Sequence, residues 1–178
     1  MSVAGASDIV LVSREMSEPR EQIPRDLSAE AQDALDGQLW EAAQTGNTAA
    51  IRRLVAEGAS PSSKGPEQDI ATQRGCIHRK THSAVCDAAM RGHVNAVTAL
   101  VRLGADLGVG TGWGLTALMC AAASGHVECA RVLLAGGADH TARARTQGTG
   151  GWRRGKTALE MAVHKGHAEV VALLEEAA

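Results

Sequence analysis

The chain has no phenylalanine and no tyrosine, and three tryptophans supply all of its aromatic side chains. Its core therefore has to come from Ala, Leu, Val and Ile, and small side chains of this kind let helices pack closely. The same lack leaves few groups on which nucleic-acid bases could stack. Long apolar runs are missing too: none approaches the roughly 18 residues that a membrane helix needs. The N-terminal MSVAGASDIVLVSRE holds an apolar run of only four residues, preceded by Asp8, too short and without the basic start of a secretory signal. An intracellular setting, cytoplasm or nucleus, is expected, and with it four reduced cysteines rather than a disulfide framework. Neither sign of charge dominates. The 18 Lys and Arg against 20 Asp and Glu leave a net of −2, so no overall field directs the chain to nucleic acid or to an anionic membrane.

The 178 residues are 44% hydrophobic and 21% charged, which suits one globular domain of ordinary size. Four segments align on a central glycine: LWEAAQTGNTAAIRRLVAEGAS, VCDAAMRGHVNAVTALVRLGAD, LMCAAASGHVECARVLLAGGAD and LEMAVHKGHAEVVALLEEAA. The anchors Gly46, Gly92, Gly125 and Gly166 lie 46, 33 and 41 residues apart, a unit of 33 with insertions of 13 and 8. Leu39, Val85, Leu118 and Leu159 stand seven residues before the anchors, and Leu54, Leu100, Leu133 and Leu174 eight after. Ala42-Ala43, Ala88-Ala89 and Ala121-Ala122 match one another, with Ala162-Val163 in the last unit. This pattern predicts two short helices per unit, joined at the anchor, where glycine takes the left-handed conformation without a Cβ clash. Gly58, Gly104 and Gly137 are placed to end the second helices. Helices this short do not hold alone, and stacked units bury a shared apolar face.

LTALMCAAASGHVECARVLLAGGAD and KTALEMAVHKGHAEVVALL resemble ankyrin repeats, and the resemblance covers about residues 34–178. It implies an all-α solenoid of about four helix–turn–helix units with projecting turns. The units fall at about 34–60, 81–106, 114–139 and 155–178, with insertions at about 61–80 and 140–154. Residues 26–178 make up the repeat domain, and 1–25 read as a disordered acidic segment in which Pro19 and Pro24 break any helix. A helix starting at Ser28 is expected to cap unit one. The family usually carries T-P-L-H at its first helix. Here the matching residues are Ser83-Ala84-Val85-Cys86, Thr116-Ala117-Leu118-Met119 and Thr157-Ala158-Leu159-Glu160, without the proline or the histidine. Ser and Thr still serve as N-caps, while in unit one Gly37 stands in the Thr position. At the far end Glu175 replaces an apolar residue and Ala178 a closing glycine.

Several short patterns carry a second reading. GGWRRGKT, residues 150–157, fits G-x-x-x-x-G-K-[ST], the pattern of a phosphate-binding loop. Such a loop follows a buried strand, and HTARARTQGTG before it holds none; the repeat explains Gly155 as a turn and Thr157 as an N-cap. Cys76, His78, His82 and Cys86 could make a tetrahedral zinc site. Their spacing is not a common zinc pattern, and Cys86 also falls at a repeat position, expected to be half-buried. The alternative is an inserted loop that carries two histidines. His93, His126 and His167 follow the anchors and are expected to start the second helices, and Cys120 and Cys129 read as small core residues. GVGTGWG is the turn into unit three. No nucleophile–base grouping is apparent, so neither an enzyme nor a cofactor is expected.

The resemblance implies a protein or peptide partner, held by turn tips and first-helix ends. Counted from the anchors, these are Gln44 and Thr45; Arg79, Lys80, His82, Met90 and Arg91; Gly112, Trp113, Leu115, Ala123 and Ser124; and Arg153, Arg154, Lys156, His164 and Lys165. The set has seven Lys or Arg and no Asp or Glu, leaving 11 basic and 20 acidic residues elsewhere. An acidic partner is therefore expected, read by Arg and Lys around Trp113. The competing view is that exposed turns are polar anyway and these charges are only solvated. Nucleic acid on the same turns is the rival partner, disfavoured by the scarcity of aromatics and the net charge. The second insertion adds Arg143, Arg145 and Trp152 beside the set. Residues 1–36 carry a net of −5, and could fold back on the basic turns as an internal competitor.

Overall fold

Ser83, Thr116 and Thr157 each sit in extended backbone and accept a hydrogen bond from the amide three residues on, that of Cys86, Met119 and Glu160. Glu160 returns the bond to the Thr157 amide and completes a capping box. Each cap opens the first helix of a unit. The computed structural model describes residues 29–65, 68–71, 77–80, 82–112, 114–145 and 153–177. In chain order they form α1 (Ala29–Thr45), α2 (Thr48–Ala56), β1 (Gln68–Ala71), β2 (Ile77–Lys80), α3 (Ala84–Met90), α4 (Val94–Arg102), α5 (Ala117–Ser124), α6 (Val127–Ala135), α7 (Ala158–Lys165) and α8 (Ala168–Glu176). The N-terminal segment 1–25, Cys76, Trp113 and Trp152 lie outside the described residues.

The helices pair as the repeat requires. First helices α1, α3, α5 and α7 pack in a row, second helices α2, α4, α6 and α8 in another, and each unit's two helices contact each other. Leu39, Val85 and Leu118 of the first row and Ile51, Val97 and Leu133 of the second have no exposed surface, and neither have Ala43, Ala89 and Ala122 between them. The anchors Gly46, Gly92, Gly125 and Gly166 have φ of 71°, 76°, 78° and 76°, as the left-handed joint demands.

The residue after each anchor shows how one unit holds the next. Asn47, in unit one, caps its own helix by accepting from the Ala50 amide. His93, His126 and His167 make no such cap. Each ring reaches back instead, its Nε2–H donating to the previous unit's Gln44, Met90 or Ala123 carbonyl at 2.9, 3.1 and 3.3 Å. The rings lie against the previous anchors: a Cβ at Gly46, Gly92 or Gly125 would come within 2.9, 2.8 or 2.7 Å of the imidazole. A helix cap contributes about 1 kcal/mol, and here it is exchanged for a bond between units.

The two ends depart from the repeat. α1 runs for 17 residues straight through Gly37, so unit one has no N-cap at that point. Its added turns tie down the unit's end, with Gln32 donating to the Gly58 carbonyl at 3.0 Å and Asp36 accepting from the Ser60 amide at 2.7 Å. The first insertion is a hairpin rather than an irregular loop: β1 runs antiparallel to β2, with Gln68 opposite Lys80 and Ala71 opposite Ile77. The Lys64–Ser83 bridge and the Gly65 amide on the His82 carbonyl, at 2.8 Å, lead the pairing down to the cap of α3.

Candidate functional site

The second insertion is closed by backbone bonds across it. The Ala144 amide donates to the Lys156 carbonyl and the Gly155 amide to the Ala144 carbonyl, both at 3.0 Å, while the Arg145 amide donates to Gly114 of unit three at 3.4 Å. Chain segments 143–145 and 153–156, the two ends of the insertion, are thus side by side. Arg143, Arg145, Arg153, Arg154 and Lys156 meet on this one turn. Arg143 donates to the Gly155 carbonyl at 2.8 Å and lies 3.8 Å from Glu160, a mostly solvated pair worth little in itself.

Residues 150–152 of GGWRRGKT lie outside the described residues, and the same bonds bear on the rest of that motif. A phosphate cradle needs amides that point at the ligand. Here the amide of Gly155 is taken by Ala144, that of Lys156 by the Arg153 carbonyl at 3.1 Å, and that of Thr157 by Glu160 at 3.0 Å. The Thr157 hydroxyl is the cap of α7.

Beside the hairpin lies a group that the sequence did not single out. Asp87, on α3, is only 2% exposed. Its carboxylate meets His82 Nδ1 at 3.0 Å and receives the Gln44 amide at 3.3 Å. Burial works against its charge, but the bond and charge of His82, helped by Gln44, hold its carboxyl below the ordinary value. Trp40 lies flat against Gly65, where a Cβ would run into the indole, and its Nε1 is buried without a hydrogen-bond partner among the described residues. The cluster fastens the foot of the hairpin to units one and two. An Asp five residues before the anchor, where units three and four carry Cys120 and Met161, was the available signal.

Of the four residues of the zinc reading, Cys76 and the side chain of His78 lie outside the described residues. Cys86 is fully rather than half buried, and its thiol donates to the Val109 and Leu115 carbonyls at 3.7 Å. His82 is committed to Asp87, and no group of three or more metal-binding side chains occurs among the described residues. Cys120 and Cys129 are buried core residues. The neighbouring Cys86 sulfur and burial push the Cys120 thiol well above its ordinary value, and burial pushes Cys129 up to about 11, so both stay protonated and unreactive.

Of the partner-contact positions, Met90, Arg91, Arg154, His164 and Lys165 are exposed, and His82, Arg153 and Lys156 are half-buried. Arg79 and Lys80 lie on β2. Leu115 does not belong to an accessible set: it is 8% exposed and packed in the core. Its backbone closes the turn into unit three by accepting from the Thr111 amide at 2.8 Å.

Four stacked helical pairs, coupled only to their neighbours and joined by projecting turns, define a repeat solenoid. Residues 39–144 and 85–178 match the family model described as ankyrin repeats (3 copies). The chain belongs to the ankyrin repeat family. No curated protein matches it. Ankyrin repeats are generally protein–protein interaction modules, and no helix among the described residues is long and apolar enough to cross a membrane.

Proposed function

We propose that the chain is a non-enzymatic scaffold or adaptor that binds an acidic protein or peptide through its basic inter-repeat turns and first-helix ends. One observation carries the reading: backbone pairing across the second insertion gathers Arg143, Arg145, Arg153, Arg154 and Lys156 on a single turn. Guanidinium groups suit bidentate recognition of carboxylates. Trp113 precedes Gly114, whose carbonyl accepts from the Arg145 amide, and is the apolar anchor of this reading. The absence of catalysis is supported by how the reactive side chains are used, with histidines as joints between units and thiols as donors in the core. Free, buried Cys86, Cys120 and Cys129 suit a reducing, intracellular setting.

Partner capture from a lysate of the source cells tests this, with the wild-type chain beside Arg153→Glu/Arg154→Glu/Lys156→Glu. Acidic proteins held by the first bait and lost from the second, with capture falling as salt rises, are expected. Capture that persists unchanged on a folded triple variant would sink the proposal. Loss of capture after nuclease treatment would assign the turns to nucleic acid.

A further inference from the structure

The second helices of units three and four leave a gap between them. An open groove of about 680 Å³ runs between α6 and α8, with Val94, Val127, Cys129 and Leu173 in its apolar lining and Glu128, Glu169 and Glu176 among its charged residues. The corresponding hollow between units one and two has about 310 Å³, and no carboxylate lines it. The sequence accounts for the difference. Six residues after the anchor, units one to three carry Arg52, Thr98 and Arg131, but unit four has Ala172, whose small side chain leaves the space open. Three residues after the anchor, Ala49 and Asn95 give way to Glu128 and Glu169, and ten after it Ala56, Arg102 and Ala135 give way to Glu176. Since α6 and α8 wall the groove, a further unit stacked beyond α8 would leave it open.

The charge of the groove is only partly balanced. Arg131 lies 3.6 Å from Glu128, while Glu169 and Glu176 make no ion pair among the described residues. The helix dipole favours Glu128 and Glu169 in the first turns of α6 and α8. It does not account for Glu176, in the last turn of α8, or for the open volume. Such a groove selects its occupant. A neutral segment would cover two carboxylates without pairing them, and an acidic one would meet repulsion. A lysine or arginine side chain meets both demands, its methylene stem against Val127 and Leu173 and its charge at a carboxylate. Glu169 and Glu176 stand at opposite ends of α8, so a segment with more than one cation engages both.

We propose that the groove between α6 and α8 docks a basic segment of another protein, one that carries lysine or arginine beside apolar residues. The proposal does not rest on the acidic partner of the turns. Titration of the isotope-labelled whole chain with a short peptide of alternating lysine and leucine, followed by amide NMR shifts, tests it. Saturable shifts are expected across α6 and α8, with a Kd below about 1 mM at low salt. A peptide of alternating glutamate and leucine is expected to leave these amides in place. Ala172→Arg puts into unit four the residue type that unit three carries at the matching position, and is expected to weaken binding at least about fivefold. Glu169→Lys/Glu176→Lys is expected to do the same, each variant being shown to be folded by circular dichroism. Shifts that are absent, or that fall mainly outside these two helices, overturn the proposal, as does undiminished binding by the folded Ala172→Arg chain. Shifts of the same amides on raising the chain's own concentration without peptide overturn it as well, and assign the groove to a second copy.

Discussion

Gly125 and Gly166 have nearly the same backbone, with φ of 78° and 76°, but different surroundings. The ring of His167 covers Gly125, and nothing covers Gly166. Alanine at either position bears the left-handed backbone penalty of about 1–2 kcal/mol. Gly125→Ala must also displace the imidazole, so its urea midpoint should fall clearly further than that of Gly166→Ala. In a His167→Ala background the two penalties should become alike, since the obstructing ring is gone. Asp87 sets a second expectation at this scale. Its folded carboxyl lies below the ordinary value of 3.8, so the unfolded chain binds the proton more readily. The stabilisation is in place above that value and is lost as pH falls through the lowered one. Urea midpoints between about pH 5 and pH 3 should fall less steeply for Asp87→Asn than for the wild type. Ser83, Thr116, Thr157 and the anchor glycines were legible in the sequence because each acts on its own local backbone. Asp87 and Trp40 were not, because the groups that explain them come from another unit or from across the hairpin.

At the scale of elements, α1 is the irregular member. Gly37 sits inside a continuous helix, and a Cβ there would meet nothing within 4 Å. Gly37→Ala should therefore stabilise the chain by roughly 0.5–1 kcal/mol, read as a higher melting temperature. Thr157→Ala should do the opposite by about 1 kcal/mol, since it removes the hydroxyl half of the capping box on α7. The start of α1 at Ala29, next to the expected Ser28, followed from polar DLSAEAQDALDG leading into an apolar run. The hairpin did not. Its strands are four residues each, too short to show an alternating pattern, and their pairing is a property of the backbone. The basic turn was legible as a set of positions counted from the glycines. Its concentration on one site depended on Ala144 meeting Gly155 and Lys156, which no spacing announces.

The described helices form a row of units, of which the second to fourth each hold their predecessor through one histidine and a share of small aliphatic residues. Such rows gain stability from neighbour to neighbour rather than from one central core. The bonds from His93, His126 and His167 all point the same way along the row, each ring reaching back to the preceding unit. The joint of unit four is consequently the one that no later ring secures. Time therefore separates the units even where shape does not. In a dilute solution exposed to heavy water, the amides of α8 should exchange first, and those of α4 and α6, gripped from both sides, last. Uniform exchange across the second helices would show that the row opens as one block.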